Sequence, residues 1–339
     1  MTKKYHIATY GCQANKADSE RIASKLAKQG YQPASKIEDA DLVVVNMCSI
    51  RQSAVDRVLG ISAKFKKLKE KNPKFKSILT GCIVKKDRPR LSKRFDRILK
   101  FKDLLECQPE YQQKSIAFIP VSNGCNNFCS YCVVPYARGL LVCRDHKNIL
   151  KEAENAVQKG FREIWLLGQK VNDYKSPIDS SVNFAKLLEI TNKIPGEFKL
   201  FFTSPHPENF SDELINALAK CEKFGKLLNL PVQSGDNQIL KEMKRNYTVE
   251  EYKSLVKKIK EKIPEIKLST DVIVGFPGET EKQFQNTVKL FKETKFDNAY
   301  VSKYSPRPGT ASWQMKDDIP LSEKKRREKI LRKIFNDSR

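Results

Sequence analysis

The sequence predicts an α/β protein with an N-terminal doubly wound parallel sheet, Rossmann-like in type, followed by a partial (β/α)6 barrel. Two observations predict this fold class. Short apolar runs alternate with amphipathic runs of helical length along most of the 339 residues. In both parts, motifs rich in Gly, Cys and polar residues directly follow the apolar runs, and parallel α/β folds bind ligands at the carboxyl ends of their strands.

The first hundred residues carry strand-like runs at 4–9, 41–46, 77–80 and 97–99, with helices predicted at 18–29 and from about Ser53. Three of these runs end beside a cysteine, at Cys12, Cys48 and Cys82. Because carboxyl ends of parallel strands meet at one sheet edge, we expect these cysteines to form a three-cysteine site. The alternative is three small buried residues, since free cysteine packs well in a core.

A polar stretch without periodicity, residues 107–113, is predicted to separate a first domain, 1–110, from a second, 111–339. In the second, strands and helices alternate six times. Strands are predicted at 116–122, 163–167, 199–203, 226–230, 267–274 and 298–303, and helices at 148–159, 183–193, 211–220, 238–244, 249–262 and 281–294. Short polar motifs follow the strands at 168–169, 203–207, 230–235 and 274–280, which predicts a site for a small polar ligand.

The first strand of the second domain leads into Cys125, Cys129 and Cys132, spaced C-x3-C-x2-C. Thiolates select iron-sulfur clusters or zinc. A cluster held by three cysteines leaves one iron without a protein ligand, and a substrate can bind there. A zinc site would need a fourth ligand, and the spacing of the nearest candidates, Cys143 and His146, matches no usual zinc pattern.

Composition indicates the kind of partner, the redox state of the cysteines and the location of the protein. The formal net charge of +24 indicates a polyanionic partner, and cations are concentrated at 64–76 and 85–97. Nine cysteines, an odd number, without a signal peptide argue for reduced thiols. No apolar run approaches the length of a membrane span, so we expect a cytoplasmic protein without membrane contact.

Several motifs together resemble one family, the radical SAM (S-adenosylmethionine) methylthiotransferases. They are the local contexts of Cys12, Cys48 and Cys82, the 124–132 cysteine loop and the 275–280 turn. Within that family, residues 48–51, 168–172 and 304–310 resemble the MiaB type. That type attaches a methylthio group to C2 of N6-dimethylallyladenosine beside the tRNA anticodon.

The resemblance implies a role for each matching residue. Cys125, Cys129 and Cys132 would hold the 4Fe-4S cluster that binds SAM, and Cys12, Cys48 and Cys82 an auxiliary 4Fe-4S cluster. The SAM contacts implied are Tyr131, Arg144, Gly168, Gln169, Gln233 and Gly275. Two SAM molecules would be used: one methylates sulfur on the auxiliary cluster, and the other yields the radical that takes hydrogen from the adenine ring. Implied partners are tRNA (its anticodon stem-loop), an electron donor such as flavodoxin or ferredoxin, and a sulfur source.

The sequence departs from the family pattern at three points. Leu141 occupies a position that is usually acidic, Lys170 replaces the usual Asn, and the family's C-terminal TRAM domain is not found after the basic helix at 322–335. Two other functions stay open. One is methylthiolation of threonylcarbamoyl-adenosine in tRNA or of a ribosomal-protein aspartate, although residues 168–172 argue against both substrates. The other is a non-catalytic, metal-containing RNA-binding protein.

Overall fold

The computed structural model describes residues 2–50, 52–100, 103–111 and 115–337. Arg51 of the resembling motif and residues 112–113 of the predicted boundary lie outside them. The chain packs as two units, one of residues 1–125 and 133–167 and the other of residues 126–132 and 168–339. These packing units do not test the predicted domain boundary near residue 110, which stays a prediction. Among the described residues, no helix is long and apolar enough to cross a membrane.

The first unit is built on a parallel sheet in the order β2-β1-β3-β4-β5. Its strands are β1 (Lys4–Tyr10), β2 (Gln32–Pro33), β3 (Leu42–Cys48), β4 (Lys76–Cys82) and β5 (Arg97–Ile98). Its helices are α1 (Gln13–Lys28), α2 (Gln52–Ser62), α3 (Phe65–Lys71) and α4 (Arg88–Ser92). Every residue of β3 is buried, which explains its unbroken Val-rich sequence.

Alternate side chains of β3 serve two cores. Val43 and Val45 pack with apolar residues of α2 and α3. Val44 packs with Ile22 and Leu26 of α1 on the other face. Helices therefore cover both faces, and the predicted doubly wound parallel sheet is confirmed.

The first unit continues with β6 (Ile116–Pro120), β7 (Ser122–Asn123), α5 (Val134–Arg138), β8 (Val142–Cys143), α6 (His146–Gln158) and β9 (Glu163–Leu167). β6 and β9 pair in parallel. The predicted strand at 116–122 is divided at Val121, because β7 turns to pair antiparallel with β8. Two elements, α5 and β8, were not predicted, and they are only five and two residues long.

The second unit contains β10 (Lys199–Phe202), β11 (Leu227–Asn229), β12 (Lys267–Val274) and β13 (Asn298–Lys303). Its helices are α7 (Phe184–Asn192), α8 (Asp212–Lys220), α9 (Asn237–Glu242), α10 (Val249–Lys262), α11 (Glu281–Thr294) and α12 (Leu321–Asp337). Capping boxes fix the starts of α10 and α11, with Thr248 and Thr280 as N-caps.

Strands β11, β12 and β13 form a parallel sheet in that order. The predicted strands at 163–167, 267–274 and 298–303 and helices at 249–262 and 281–294 have the predicted bounds. Among the described residues the strands form open sheets, parallel except for the β7-β8 pair, and none of these sheets closes into a barrel. The prediction of a partial barrel, one that does not close, is therefore confirmed.

Candidate active site

Three cysteines lie at the carboxyl edge of the sheet in the first unit. Cys48 and Cys82 end β3 and β4 and are paired in register. Cys12 follows β1, the other neighbour of β3, and is the N-cap of α1. The three are 36 and 34 positions apart in the chain, and parallel pairing of neighbouring strands brings them to the same edge. The structure thus places them together, and their role as metal ligands remains a prediction.

The electrostatics of this edge favour a thiolate. A hydrogen bond from the Cys82 thiol lowers the pKa of Cys48 to about 7. The same bond, followed by burial, raises the pKa of Cys82. The Cys48–Cys82 pair therefore loses one thiol proton readily and retains the other. Thiolate is the form of cysteine that binds metals.

Arg138 is the cation of this edge. Its Nε donates to Cys82 Sγ at 3.0 Å, while its two terminal nitrogens bind Asp18 at 2.9 Å and Asn123 Oδ1 at 2.8 Å. Burial opposes the charge of Arg138, but Asp18, Cys82 and Cys12 outweigh it, and the pKa of Arg138 is raised. A permanent positive charge therefore faces the thiols.

Two buried amides hold the strand ends behind the cysteines. Asn15 Oδ1 accepts from the backbone N–H of Cys12 at 3.3 Å, and Asn15 Nδ2 donates to Asn46 Oδ1 at 2.9 Å and to the Met47 carbonyl at 3.2 Å. Gly81, next to Cys82, has a φ of +101°, and a Cβ there would lie 2.2 Å from the Met47 carbonyl oxygen. The backbone before Cys82 therefore requires glycine.

A cavity of about 350 Å³ borders the same edge. Its lining includes Asp18, Asn46, Thr80, Asn123 and Arg138. None of these five was predicted as a site residue. Asn46 and Thr80 offered a signal, because each stands two positions before a cysteine at the end of a strand.

The 124–132 loop runs from the first unit into the second. In the first, Cys125 donates its backbone N–H to the Gly139 carbonyl at 3.1 Å. In the second, Ser130 donates to the Met243 carbonyl at 3.1 Å and accepts from the Ser312 N–H at 2.7 Å. Backbone hydrogen bonds thus fix each part of the loop within its own unit.

Lys170, the residue that departs from the family pattern, is buried in the second unit. Its ammonium donates to Asn127 Oδ1 at 3.0 Å and forms ion pairs with Asp173 at 3.0 Å and Glu208 at 3.5 Å. Asn127 lies between Cys125 and Cys129 in the chain. Lys170, which follows Gly168 and Gln169 directly, therefore ties the 168–173 turn to the cysteine loop.

Other residues predicted to contact SAM lie at the carboxyl edge of the β11-β12-β13 sheet. Gln233 has a φ of +72° and is held there by hydrogen bonds to Asp271 and Ile273 of β12. A non-glycine residue in this left-handed region is uncommon and keeps its conformation only where the surrounding structure fixes it. Gly275 donates its N–H to Glu279 Oε2 at 2.7 Å. Tyr131 packs on a core cluster that contains Phe276.

Arg144, the remaining residue predicted to contact SAM, lies in the first unit. It is 1% exposed, donates to the Pro120 carbonyl at 2.8 Å and forms an ion pair with Glu152 at 2.9 Å. Glu152 also pairs with Arg21 at 2.5 Å. Arg144 thus belongs to a buried ion triad of the first unit, and its predicted contact with SAM remains untested.

The zinc alternative can be compared with the geometry. Cys143 lies in β8 and His146 begins α6. The described residues contain no group of three or more His, Cys, Asp or Glu side chains close enough for a single metal ion. That geometry concerns one ion and does not bear on a cluster, whose several irons place the ligating sulfurs further apart.

Comparison with known proteins decides the family. Residues 119–291 match the radical SAM superfamily, and residues 4–100 match an uncharacterized family, UPF0004. In an alignment 368 positions long, the chain is 39% identical to the tRNA-2-methylthio-N(6)-dimethylallyladenosine synthase of Clostridium novyi (strain NT). The alignment covers 99% of this chain and 81% of that protein. The same-named protein of Acetivibrio thermocellus is also 39% identical, covering 98% of this chain and 76% of its own length.

This chain belongs to the radical SAM methylthiotransferase family, MiaB type. The predicted family and enzyme class are therefore confirmed. The radical SAM methylthiotransferases use SAM and a 4Fe-4S cluster, and thiols of the kind found in the 124–132 loop are the donors that such a cluster requires.

Solved structures agree on the fold. The radical SAM methyltransferase TsrM from Kitasatospora setae, with cobalamin and a [4Fe-4S] cluster bound, superposes with a TM-score of 0.64 at 15% identity, covering 92% of this methylthiotransferase and 77% of TsrM. The cobalamin-dependent radical enzyme OxsB gives a TM-score of 0.61 at 11% identity, covering 98% and 56%. At these identities the likeness concerns the fold alone.

Proposed function

We propose that this chain methylthiolates tRNA at C2 of N6-dimethylallyladenosine next to the anticodon, using two 4Fe-4S clusters and two SAM molecules per turnover. The observation that carries the proposal is the 39% identity, over nearly the whole chain, to a protein named for this product. The meeting of Cys12, Cys48 and Cys82 at one sheet edge supports a second cluster besides the one at the 124–132 loop.

Each group of three cysteines would hold one of the two clusters, and other residues would bind SAM. Cys125, Cys129 and Cys132 would hold the cluster that binds SAM, and Cys12, Cys48 and Cys82 the auxiliary cluster. Tyr131, Gly168, Gln169, Gln233 and Gly275 would line the SAM site, with Arg144 as a further predicted contact. When bound, the first cluster supplies the electron that cleaves SAM, and the second carries the sulfur to be transferred.

The protein's own groups prepare these sites. Arg138 donates to Cys82 and places a positive charge beside the three thiols, which favours their metal-binding thiolate form. The Asn15 amide fixes the turn that carries Cys12. Because the adenine C2–H is not acidic, general acid-base catalysis, worth roughly two to four powers of ten, would not suffice, whereas radical chemistry would.

The proposed partners follow from the charge and the chemistry. An anticodon stem-loop would bring phosphates to a chain of net charge +24. A low-potential one-electron donor such as flavodoxin or ferredoxin would reduce the first cluster. A separate sulfur source would replenish the sulfur consumed in each turnover.

Mass spectrometry of tRNA nucleosides tests this function. A host that lacks its own enzyme should accumulate N6-dimethylallyladenosine, and expression of this chain should convert it to the 2-methylthio form. Methylthio groups on a different nucleoside, or on protein alone, would refute the proposed substrate.

Iron content and SAM cleavage test the division of labour. Anaerobic reconstitution should load about eight irons, as two four-iron clusters contain. Changing Cys12, Cys48 and Cys82 to Ala should leave about four irons and preserve reductive cleavage of SAM, while tRNA methylthiolation is lost. If that variant kept eight irons, the sheet-edge cysteines would not be the ligands of a second cluster.

A further inference from the structure

Arg245 is a buried arginine in the second unit, in the turn after α9. Its side chain is held at three points: Nε donates to the Tyr247 hydroxyl at 2.9 Å, one terminal nitrogen to the Pro231 carbonyl at 3.0 Å, and the other to Cys129 Sγ at 3.8 Å. The residue is 7% exposed. The guanidinium is therefore fixed in orientation, with one N–H directed at the central cysteine of the 124–132 loop.

The charge of Arg245 is not matched by a carboxylate in the part of the chain that the structure describes. Among the described residues, no Asp or Glu lies within salt-bridge distance of it. Two of its three hydrogen-bond acceptors, the Tyr247 hydroxyl and the Pro231 carbonyl, are dipoles and not anions. A buried cation without an anion is strongly unfavourable. The third acceptor, Cys129 Sγ, would supply negative charge once it is bound to iron as a thiolate.

We propose that Arg245 is a positioning residue for the SAM-binding cluster, which fixes the Cys129 sulfur through an N–H···S hydrogen bond and raises the reduction potential of the cluster. This inference rests on the proposed cluster at Cys125, Cys129 and Cys132. Hydrogen bonds to sulfur and local charge are among the factors that set such potentials. Reduction adds one electron from a low-potential donor and breaks no bond, so the reduced cluster is more negative. A fixed positive charge stabilises that state more than the oxidised one.

The test uses a full-length chain in which Cys12, Cys48 and Cys82 are Ala, so that one cluster remains. Arg245→Gln and Arg245→Met remove the charge. Lys244→Gln removes the same charge one residue away, from an exposed side chain, and is the matched control. Each protein is reconstituted anaerobically, and its midpoint potential is measured by an EPR-monitored redox titration against viologen mediators.

Both Arg245 variants should show at least a tenfold lower equilibrium constant for one-electron reduction, equal to a potential about 59 mV more negative. Lys244→Gln should match the parent. Arg245→Lys, which keeps the charge without the fork of donors, should lie between them. Equal potentials in Arg245→Gln, Arg245→Met and Lys244→Gln would overturn the proposal. A parent chain that loaded no cluster would contradict the proposed function, whereas a loaded parent with unchanged Arg245 variants would contradict only the role of Arg245.

A milder pair of variants covers the possibility that the Arg245 variants do not fold. Tyr247→Phe removes the acceptor of Arg245 Nε, whereas Tyr252→Phe alters a buried tyrosine that bonds to the Leu230 carbonyl. The loosened guanidinium in Tyr247→Phe should give a more negative potential and a broadened EPR spectrum relative to Tyr252→Phe. The same potential and spectrum in both would count against the proposal.

Discussion

Individual buried charges define several parts of this protein. The triad of Arg21, Glu152 and Arg144 is almost fully buried, with side-chain exposures of 0%, 1% and 1%. Glu152→Gln would remove the carboxylate that the two buried guanidiniums share. We expect a loss of about 3–5 kcal/mol in the free energy of unfolding, the usual effect of breaking a buried pair. Chemical denaturation followed by circular dichroism measures it.

An exposed ion pair supplies the control for this prediction. Glu189 pairs with Lys186 on α7, and both side chains are about half exposed. Glu189→Gln should change the free energy of unfolding by less than about 1 kcal/mol. If Glu152→Gln were as mild as Glu189→Gln, the triad would contribute no more than a surface pair.

The sequence predicted the cysteines but not the residues that support them. Cysteine spacing and strand ends are local signals. By contrast, Asn15 meets Asn46 across 31 positions, and Arg138 meets Cys82 across 56. Arg245 stands among charged and polar residues in the chain, and nothing in that neighbourhood marks it as buried. Such pairings depend on how separated segments pack, which a single sequence does not encode in a readable pattern.

At the scale of elements, helix α12 supports a turn that is predicted to bind SAM. From its sequence this helix was predicted only to be basic, yet Arg327 is buried and donates to Glu279 Oε2 at 2.7 Å. The same carboxylate accepts the Gly275 N–H at 2.7 Å. The helix therefore fixes the 275–279 turn through one carboxylate.

Removing the Arg327 side chain should weaken SAM binding. In Arg327→Met, Glu279 loses its cation, and burial, which already raises the pKa of Glu279, would favour its protonated form. A protonated carboxyl accepts the Gly275 N–H less strongly. We expect the dissociation constant for SAM to rise about tenfold by isothermal titration calorimetry, the equivalent of one charge-assisted hydrogen bond. Lys325→Met, exposed on the same helix, should bind SAM normally; an equal loss there would point to a general effect on α12.

A second segment carries a dense group of exposed cations, of the kind that can bind RNA phosphates. The segment directly after Cys82, residues 85–94, contains Lys85, Lys86, Arg88, Arg90, Lys93 and Arg94, all exposed. It follows the strand whose end forms the three-cysteine edge. Substrate RNA bound near that edge would meet these cations first.

Neutralising part of this segment should weaken tRNA binding and reduce its dependence on salt. Lys85→Gln, Arg88→Gln and Arg90→Gln together should lower the slope of log affinity against log salt by about 2 to 3. Filter binding at several salt concentrations measures the slope. The control, Lys253→Gln, Lys257→Gln and Lys258→Gln on α10, removes the same charge from lysines that already pair with acidic residues. Equal slopes for the two triple variants would argue against an RNA contact at 85–94.

At the scale of the whole molecule, regular patterning was the most predictive feature. Long apolar strands and amphipathic helices gave bounds close to those observed, as for β12 and α10. Elements of two to five residues, such as β8 and α5, escaped because they are too short to show a period. The parallel sheets and the family motifs sufficed to predict an α/β radical SAM fold, whereas the division into compact units depends on packing that no local motif reveals.

Acid sensitivity of the folded state should depend on His206. Burial and the positive charges of Arg245 and Lys170 lower the pKa of His206 to about 2, against an ordinary value of 6.5. Glu208 is also close, with 3.6 Å between its Oε2 and His206 Nδ1, and Asn127 and Tyr247 complete the surroundings. Between pH 6.5 and 2 the unfolded chain therefore takes up a proton that the folded chain does not, so stability falls as the pH is lowered through this window.

From pH 7 to pH 5, His206 should account for about 2 kcal/mol of lost unfolding free energy. His206→Asn removes the titrating group while keeping an acceptor for the Glu208 N–H, which His206 Nδ1 now receives at 3.3 Å. Urea denaturation of the metal-free chain at both pH values should therefore show a smaller drop for the variant than for the parent. Because every other carboxylate and histidine titrates in both proteins, the difference between the two drops isolates His206. Identical drops would mean that His206 becomes protonated in the folded state, with its ring turned away from Arg245 and Lys170.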